Sequence, residues 1–304
     1  MSDLKLFQTA GTTLKELDSS SAPLERALQT VFEANLETLL GVRFLASEYI
    51  TSHGGRMDTL GIDENGYPVI IEYKRDRSEN VINQGLFYLD WLMDHRGDFE
   101  LLVRDRYGKD AAAEIEWSAP RLICIAADFT KYDTHAVKQM GRNIELVRYR
   151  RFGEGLLLLE LLTSVSATPQ RTLPGVTGDG APRVITYRTV SDGLASARPA
   201  LADLYSDVEA FLLGLGDDVT SKTLRFYVAF RRIKNFACVE VKSSLDVVRL
   251  YLKVNPDSIT CEDGFTRDVR KIGHFGTGDL EVTVRSNEDL ERAKPLILRS
   301  YEES

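Results

Sequence analysis

Apolar residues fall on a helical period between Pro23 and Leu40. Leu28, Phe32, Leu36, Leu39 and Leu40 share one face, with Ser21 placed to cap the helix and Pro23 in its first turn. Gly41 ends it, and Val42–Ile50 reads as a strand. The weak alternation before residue 20 (Leu4, Leu6) predicts a short strand or arm. Two apolar-rich runs between Arg56 and Lys74 flank Asp63-Glu64-Asn65-Gly66. Asn-Gly between such runs signals a hairpin, because both residues tolerate positive φ. Asp76–Ser78 reads as a loop. Val81, Ile82, Leu86, Leu89 and Trp91/Leu92 then predict a helix from Glu79 to about Met93. Phe99–Val103 gives only a short element. Arg121–Ala127 is a buried strand, Thr134–Gly141 a short helix, and Ile144–Tyr149 and Leu156–Leu162 are further strands.

The composition then shifts. Residues 163–183 are rich in Ser, Thr, Pro and Gly and nearly free of large apolar groups, which predicts a linker. The domain division expected is residues 1–162, a flexible linker over 163–195, and a second domain over 196–304. In the second, Leu201–Leu215 is helical by period. Leu224–Phe230, Phe236–Val241 and Val247–Val254 read as an antiparallel meander. A helix over Phe265–Ile272, a strand over Leu280–Val284 and a helix over Asn287–Tyr301 complete a smaller α+β unit.

The hairpin register decides which side chains meet. With Gly66 as a left-handed bulge residue, Asp63 pairs with Tyr67, Ile62 with Pro68, Leu60 with Ile70 and Asp58 with Glu72. Arg56, Asp58, Glu72 and Lys74 then share one face, and Met57, Val69, Ile71 and Tyr73 the other. A two-residue turn would slip the register by one and turn Asp58 to the opposite face. The first register is preferred because it gathers the polar groups. Glu25 falls inside the apolar face of the first helix, where a carboxylate needs a partner or a job; Glu33 and Glu37 fall toward its edge.

Charge and cysteine content narrow the classes. The chain of 304 residues carries a net charge of −8, which argues against indiscriminate coating of nucleic acid but leaves room for local basic patches. Cys124, Cys238 and Cys261 are widely spaced without a metal-ligand pattern, as in a reduced, cytoplasmic chain. The first residues lack a secretory signal pattern, and no apolar run approaches membrane-spanning length.

Gly55-Arg56-Met57-Asp58, the strand Pro68–Lys74 ending in Glu72-Tyr73-Lys74, and Gln84-x-x-x-Tyr88 on the next helix occur here in that order. Together they resemble the PD-(D/E)XK nuclease superfamily, in its RecB-like and NucS-like branch, over roughly residues 21–162. The resemblance implies a restriction-endonuclease-like α/β fold with an αβββαβ core and a mixed sheet. It implies metal-dependent hydrolysis of DNA phosphodiesters, with Asp58, Glu72 and the backbone carbonyl of Tyr73 holding Mg²⁺, or Mn²⁺ in its place. Lys74 would stabilise the transition state. Glu25, Gln84 and Tyr88 would complete the catalytic set. Arg56, Arg75, Arg142, Arg148 and Arg150 are candidate DNA contacts. Blander readings use the same letters. Asp58, Glu72 and Lys74 could form a salt-bridge ladder, Glu25 could be a macrodipole-favoured first-turn residue, Tyr88 could be core, and the arginines could be a solvated basic edge. His53, His95 and His135 read as loop or surface residues.

Residues from about Asp203 onward resemble a domain of unknown function, DUF5655, on Lys234–Glu240, Tyr251–Lys253 and above all Gly273–Val282. That label carries no activity. Gly273–Gly278 lacks a P-loop context, so it allows close backbone approach to a ligand or simply a tight bend, and His274 within it is a site residue or a loop cap. Arg225, Arg231, Arg232, Lys234 and Lys242 alternate with aromatic residues, which suits a nucleic-acid-facing sheet or an ordinary sheet with one aromatic core face. The C-terminal domain would help select substrate or mediate homodimerisation. The alternatives to a DNA endonuclease are a non-catalytic nucleic-acid-binding or protein-interaction module and an RNA-directed nuclease.

Overall fold

The computed structural model describes residues 4–20, 26–74, 81–153, 155–165 and 189–304. Glu25, Arg75, the expected loop Asp76–Ser78 and most of the expected linker lie outside the described residues, and so do the side chains of Leu28 and Lys74. The chain divides into two units, residues 1–170 and 171–304.

The first unit opens with a hairpin of β1 (Leu6–Ala10) and β2 (Thr13–Leu17), which form a two-stranded sheet among the described residues, and a two-residue strand β3 (Ser19–Ser20). Then come α1 (Arg26–Ala34), α2 (Leu36–Leu40), β4 (Val42–Ile50), β5 (Arg56–Asp63), β6 (Pro68–Lys74), α3 (Val81–Asp94), α4 (Arg96–Ala113), β7 (Arg121–Ala126), α5 (Lys131–Gln139), β8 (Asn143–Phe152) and β9 (Leu156–Val165). The main sheet is mixed and seven-stranded. It runs β4-β5-β6-β7-β8, antiparallel from β4 to β6 and parallel from β6 to β8. β8 also takes β9 along its length and β3 at Arg151 and Phe152.

Three features depart from the sequence expectation. The single helix expected up to Leu40 breaks at Asn35, whose backbone leaves helical geometry (φ −130°) while its Nδ2 donates to the Val31 carbonyl at 2.8 Å. A side chain that bonds its own helix backbone competes with the helix. The short element expected at Phe99–Val103 lies in an eighteen-residue helical span made of two helices that meet at a kink at Gly108 (φ +91°). Only Phe99 and Val103 are fully buried along it, so its periodic signal is faint. The strand expected to end at Leu162 continues to Val165.

The core lies between the sheet and α3–α5. Leu60, Ile70, Leu122 and Leu146 meet Ile82, Leu89, Leu92, Phe99 and Val137 there. Gly85 lets α3 sit close on β7, since a Cβ would fall 2.4 Å from Leu122. α1 approaches through Phe32, which meets Tyr73 edge-on at 5.9 Å. A buried ion network ties three strands together: Arg121 on β7 donates to Asp63 at 2.7 Å and to both oxygens of Glu145 at 2.9 and 2.8 Å. Burial penalises the Arg121 cation, but Glu145 and Asp63 outweigh that and hold its pKa above the usual arginine value.

The second unit comprises α6 (Val190–Ala195), α7 (Pro199–Leu213), β10 (Thr220–Thr223), β11 (Val228–Arg231), β12 (Asn235–Lys242), β13 (Val247–Leu252), β14 (Thr266–Asp268), β15 (Leu280–Val284) and α8 (Asn287–Glu303). α6 falls within the stretch expected as linker, and Thr189 and Asp192 form its capping box. The six strands form an antiparallel sheet in the order β10-β11-β12-β13-β15-β14. Val239, Leu250 and Val282 pack with Val208, Ala293 and Ile297 of α7 and α8. The helix expected over Phe265–Ile272 is absent. Phe265 accepts from Thr283 N–H, β14 pairs with β15, and the Asp268 carboxylate accepts from Arg270 N–H and bends the chain. The Gly273–Gly278 loop folds onto β13: His274 stacks on Tyr251 at 4.5 Å, and a Cβ on Gly278 would meet the Tyr251 backbone at 2.6 Å.

Candidate active site

The hairpin sets the site. Asp63 Oδ1 accepts from the amides of Asn65 and Tyr67, both at 2.9 Å, and Gly66 takes φ +82°. Asp63 N–H donates to the Tyr67 carbonyl, Ile62 pairs with Pro68, and Leu60 with Ile70. The regular ladder ends at Thr59 and Ile71. One step beyond, side chains take over. Asp58 Oδ2 accepts from Tyr73 N–H at 3.0 Å, and Glu72 Oε1 accepts from Asp58 N–H at 3.2 Å. The two acids are thus cross-strand neighbours, each tied to the backbone of the opposite strand.

Their surroundings are unequal. Glu72 is 1% exposed, while Asp58 is half-buried. Tyr73, between them in this bonding pattern, has its phenol pushed up by burial, against the pull of Thr59, and further by the negative charges of Glu33, Asp58 and Glu72. Three acids therefore act on one residue. Glu33 is the member that the sequence reading left at a helix edge. Its Oε1 accepts from Gln29, Ser47 and Thr59 at 3.1, 2.9 and 2.7 Å. Gln29 also reaches the Asp58 carbonyl at 3.5 Å. The available signal was spacing: Gln29 and Glu33 lie four residues apart, on one stripe of a helix.

Gln84 and Tyr88 join this end of the hairpin. Gln84 Nε2 donates to Tyr88 Oη at 3.2 Å, and the same oxygen accepts from Arg56 N–H at 3.1 Å. The Tyr88 ring lies on Gly55, where a Cβ would fall 2.6 Å from it. So Tyr88, which is 5% exposed, anchors the start of β5. Arg56 pairs with Glu48 at 2.6 Å, and Glu48 sits in the left-handed region at φ +52°.

The basic candidates separate. Arg148 is already ion-paired. Its side chain is 3% exposed and donates to Asp128 and Glu160, whose own side chains are partly exposed. Arg142 is exposed and Arg150 half-buried. His95, expected at the surface, stacks on Trp91 at 4.1 Å and is half-buried.

Asp58 and Glu72 offer hard oxygen donors, and one backbone N–H does not exhaust a carboxylate's roughly four lone-pair sites. A buried acid such as Glu72 also favours a neighbouring cation. Carboxylate oxygens are the donor type that Mg²⁺ and Mn²⁺ take. Among the described residues, no group of three or more His, Cys, Asp or Glu side chains is arranged to hold a metal by itself. No described helix is long and apolar enough to cross a membrane.

An uncharacterized protein of Haemophilus influenzae is 25% identical over 99% of this chain and the whole of its own length. The chain is similar to a repair endonuclease from Pyrococcus abyssi (20% identity, TM-score 0.27), over 42% of this chain and 50% of that one. It is also similar to an EndoMS–dsDNA complex (22% identity, TM-score 0.24), over 39% of this chain and 42% of that one. The chain thus spans half or less of those two structures, and likenesses of this size carry no argument about activity. The C-terminal unit is clearer: residues 190–304 match the family model of DUF5655, a domain of unknown function.

Proposed function

We propose that this chain is a metal-dependent endonuclease that hydrolyses DNA phosphodiester bonds, built on a PD-(D/E)XK-like N-terminal unit. The observation that supports the reading best is the pair of hydrogen bonds across the hairpin end, Asp58 N–H to Glu72 Oε1 and Tyr73 N–H to Asp58 Oδ2. They hold two carboxylates on neighbouring strands, which supports reading them as a pair of hard-oxygen donors. Asp58 and Glu72, with the Tyr73 carbonyl, would hold Mg²⁺. When bound, the ion would supply positive charge to the phosphoryl oxygens and polarise water. Lys74 would add its ammonium at the same face, and Glu25 a further acid. Tyr88 and Gln84 hold the Gly55–Arg56 segment that leads into Asp58, which makes them positioning residues in this scheme. Arg56, Arg75, Arg142 and Arg150 are the candidate phosphate contacts.

The test is a cleavage panel of single-stranded, duplex, branched and mismatched DNA, and RNA, with Mg²⁺ or Mn²⁺. The full chain should cut at least one DNA substrate, and Asp58→Ala should abolish cutting. No cleavage of any substrate, or equal cleavage by the variant, overturns the proposal. A second reading has one observation in its favour: both acids already bond backbone amides, so they could serve the fold of a non-catalytic nucleic-acid-binding or interaction module. That reading expects nucleic-acid binding without metal dependence.

A further inference from the structure

Strand alternation gives the C-terminal sheet two unlike faces. Val239, Leu250 and Val282 face the helices, and their neighbours Glu240, Arg249 and Glu281 face away. On that second face a groove of about 370 Å³ is lined by residues that include Arg249, Arg267, Arg285, Thr283 and Glu281. Three guanidiniums against one lining carboxylate make the groove positive in a chain whose net charge is −8.

Glu281, 5% exposed, holds two of the three arginines: Arg267 Nη2 at 2.8 Å and Arg249 Nη1 at 3.7 Å. Arg285 is shared with Asp289 at 3.9 Å. Such pairing fixes guanidinium planes in advance of a ligand, which reduces the ordering cost of binding. One donor is left over. Arg249 Nε is buried and has no hydrogen-bond partner among the described residues. A buried charged donor without an acceptor is rare and calls for an explanation.

We propose that this groove binds a phosphate group. Guanidinium forks match phosphate oxygens in paired, charge-assisted hydrogen bonds. Three forks around one groove suit a tetrahedral anion better than a planar carboxylate. The phosphate comes from a nucleic-acid backbone or from a free nucleotide. The nucleic-acid source rests on the function proposed above; the phosphate chemistry does not.

The experiment uses the full chain with a chelator, so that binding is read without turnover. Calorimetry with pyrophosphate and with AMP, and anisotropy with a labelled single-stranded oligonucleotide, are run on the wild type, Arg249→Gln and Arg267→Gln. Circular dichroism and thermal melting confirm that the variants are folded. Pyrophosphate binding should weaken by about tenfold or more in each variant, as expected for loss of a charged hydrogen-bond donor. A parallel loss of oligonucleotide binding identifies a nucleic-acid strand as the source. Loss confined to pyrophosphate and AMP identifies a free nucleotide. If none of the three probes binds, or if both variants bind as the wild type does, the proposal is overturned, whatever the cleavage panel shows.

Discussion

The Asp58 carboxylate accepts the amide N–H of Tyr73 at 3.0 Å, across the end of the β5–β6 ladder. The acid therefore combines a hydrogen bond to the fold with a negative charge, and the two can be separated. Asp58→Asn keeps an oxygen for Tyr73 N–H and removes the charge. Its stability should stay within about 1 kcal/mol of wild type, the scale of one hydrogen bond. Its affinity for Mn²⁺ by calorimetry should fall by at least about tenfold, since even outer-shell changes at metal sites cost that much. Unchanged Mn²⁺ affinity would remove Asp58 from the metal site.

Tyr88 offers a test of positioning. Both tryptophans of the chain, Trp91 and Trp117, lie in the first unit, so tryptophan fluorescence follows its unfolding alone. Tyr88→Phe leaves the ring on Gly55 but removes the acceptor of Arg56 N–H, and should cost about 0.5–1.5 kcal/mol. Gly55→Ala drives a methyl into the ring and should cost about 1–3 kcal/mol. If denaturant titration shows both variants as stable as the wild type, Tyr88 does not anchor β5.

Arg121 should be the most sensitive polar residue of the first unit. Arg121→Met leaves Asp63 and Glu145 buried without their cation, and should cost about 3–5 kcal/mol in the same assay. Adding Glu145→Leu should recover part of that loss. A single variant within 1 kcal/mol of wild type would show the network to be dispensable.

Acid sensitivity of the second unit should centre on Arg270. Its hydrogen bonds hold the carboxyls of Asp257 and Asp268 below their ordinary value. A depressed carboxylate stabilises the fold above its unfolded pKa, and that support is lost as the pH falls through the folded pKa. NMR titration of the aspartate carboxyls should show both shifted downward in the wild type and returned toward normal in Arg270→Gln. The shifts should shrink with added salt, because the groups are exposed.

The hairpin register was legible because turn chemistry and strand alternation agree: Gly66 takes positive φ, and Ile62, Leu60 and their partners pair as the pattern requires. Glu33 was not legible in its role, because its contacts to Ser47 and Thr59 come from strands distant in sequence. The polar surface of α4 hid a long helical span behind two buried residues. In the second unit, Phe265, Val269 and Ile272 mimic a helical stripe. Pairing with β15 and the turn at Asp268 override that local pattern. Arg148 shows the same limit for charge: its ion pairs with Asp128 and Glu160 depend on tertiary placement, which its letter does not carry.

The Asp63–Arg121–Glu145 network also constrains the order of assembly. Its members leave the ribosome at widely separated moments, and Glu145 comes last. Until β8 has emerged, Arg121 Nε and Nη2 have no Glu145 to receive them, and a docked β7 would carry a desolvated cation with only Asp63 beside it. The central strands should therefore lock together only after synthesis has passed Glu145. A nascent chain arrested before that point should stay sensitive to protease, and one arrested well after it should not.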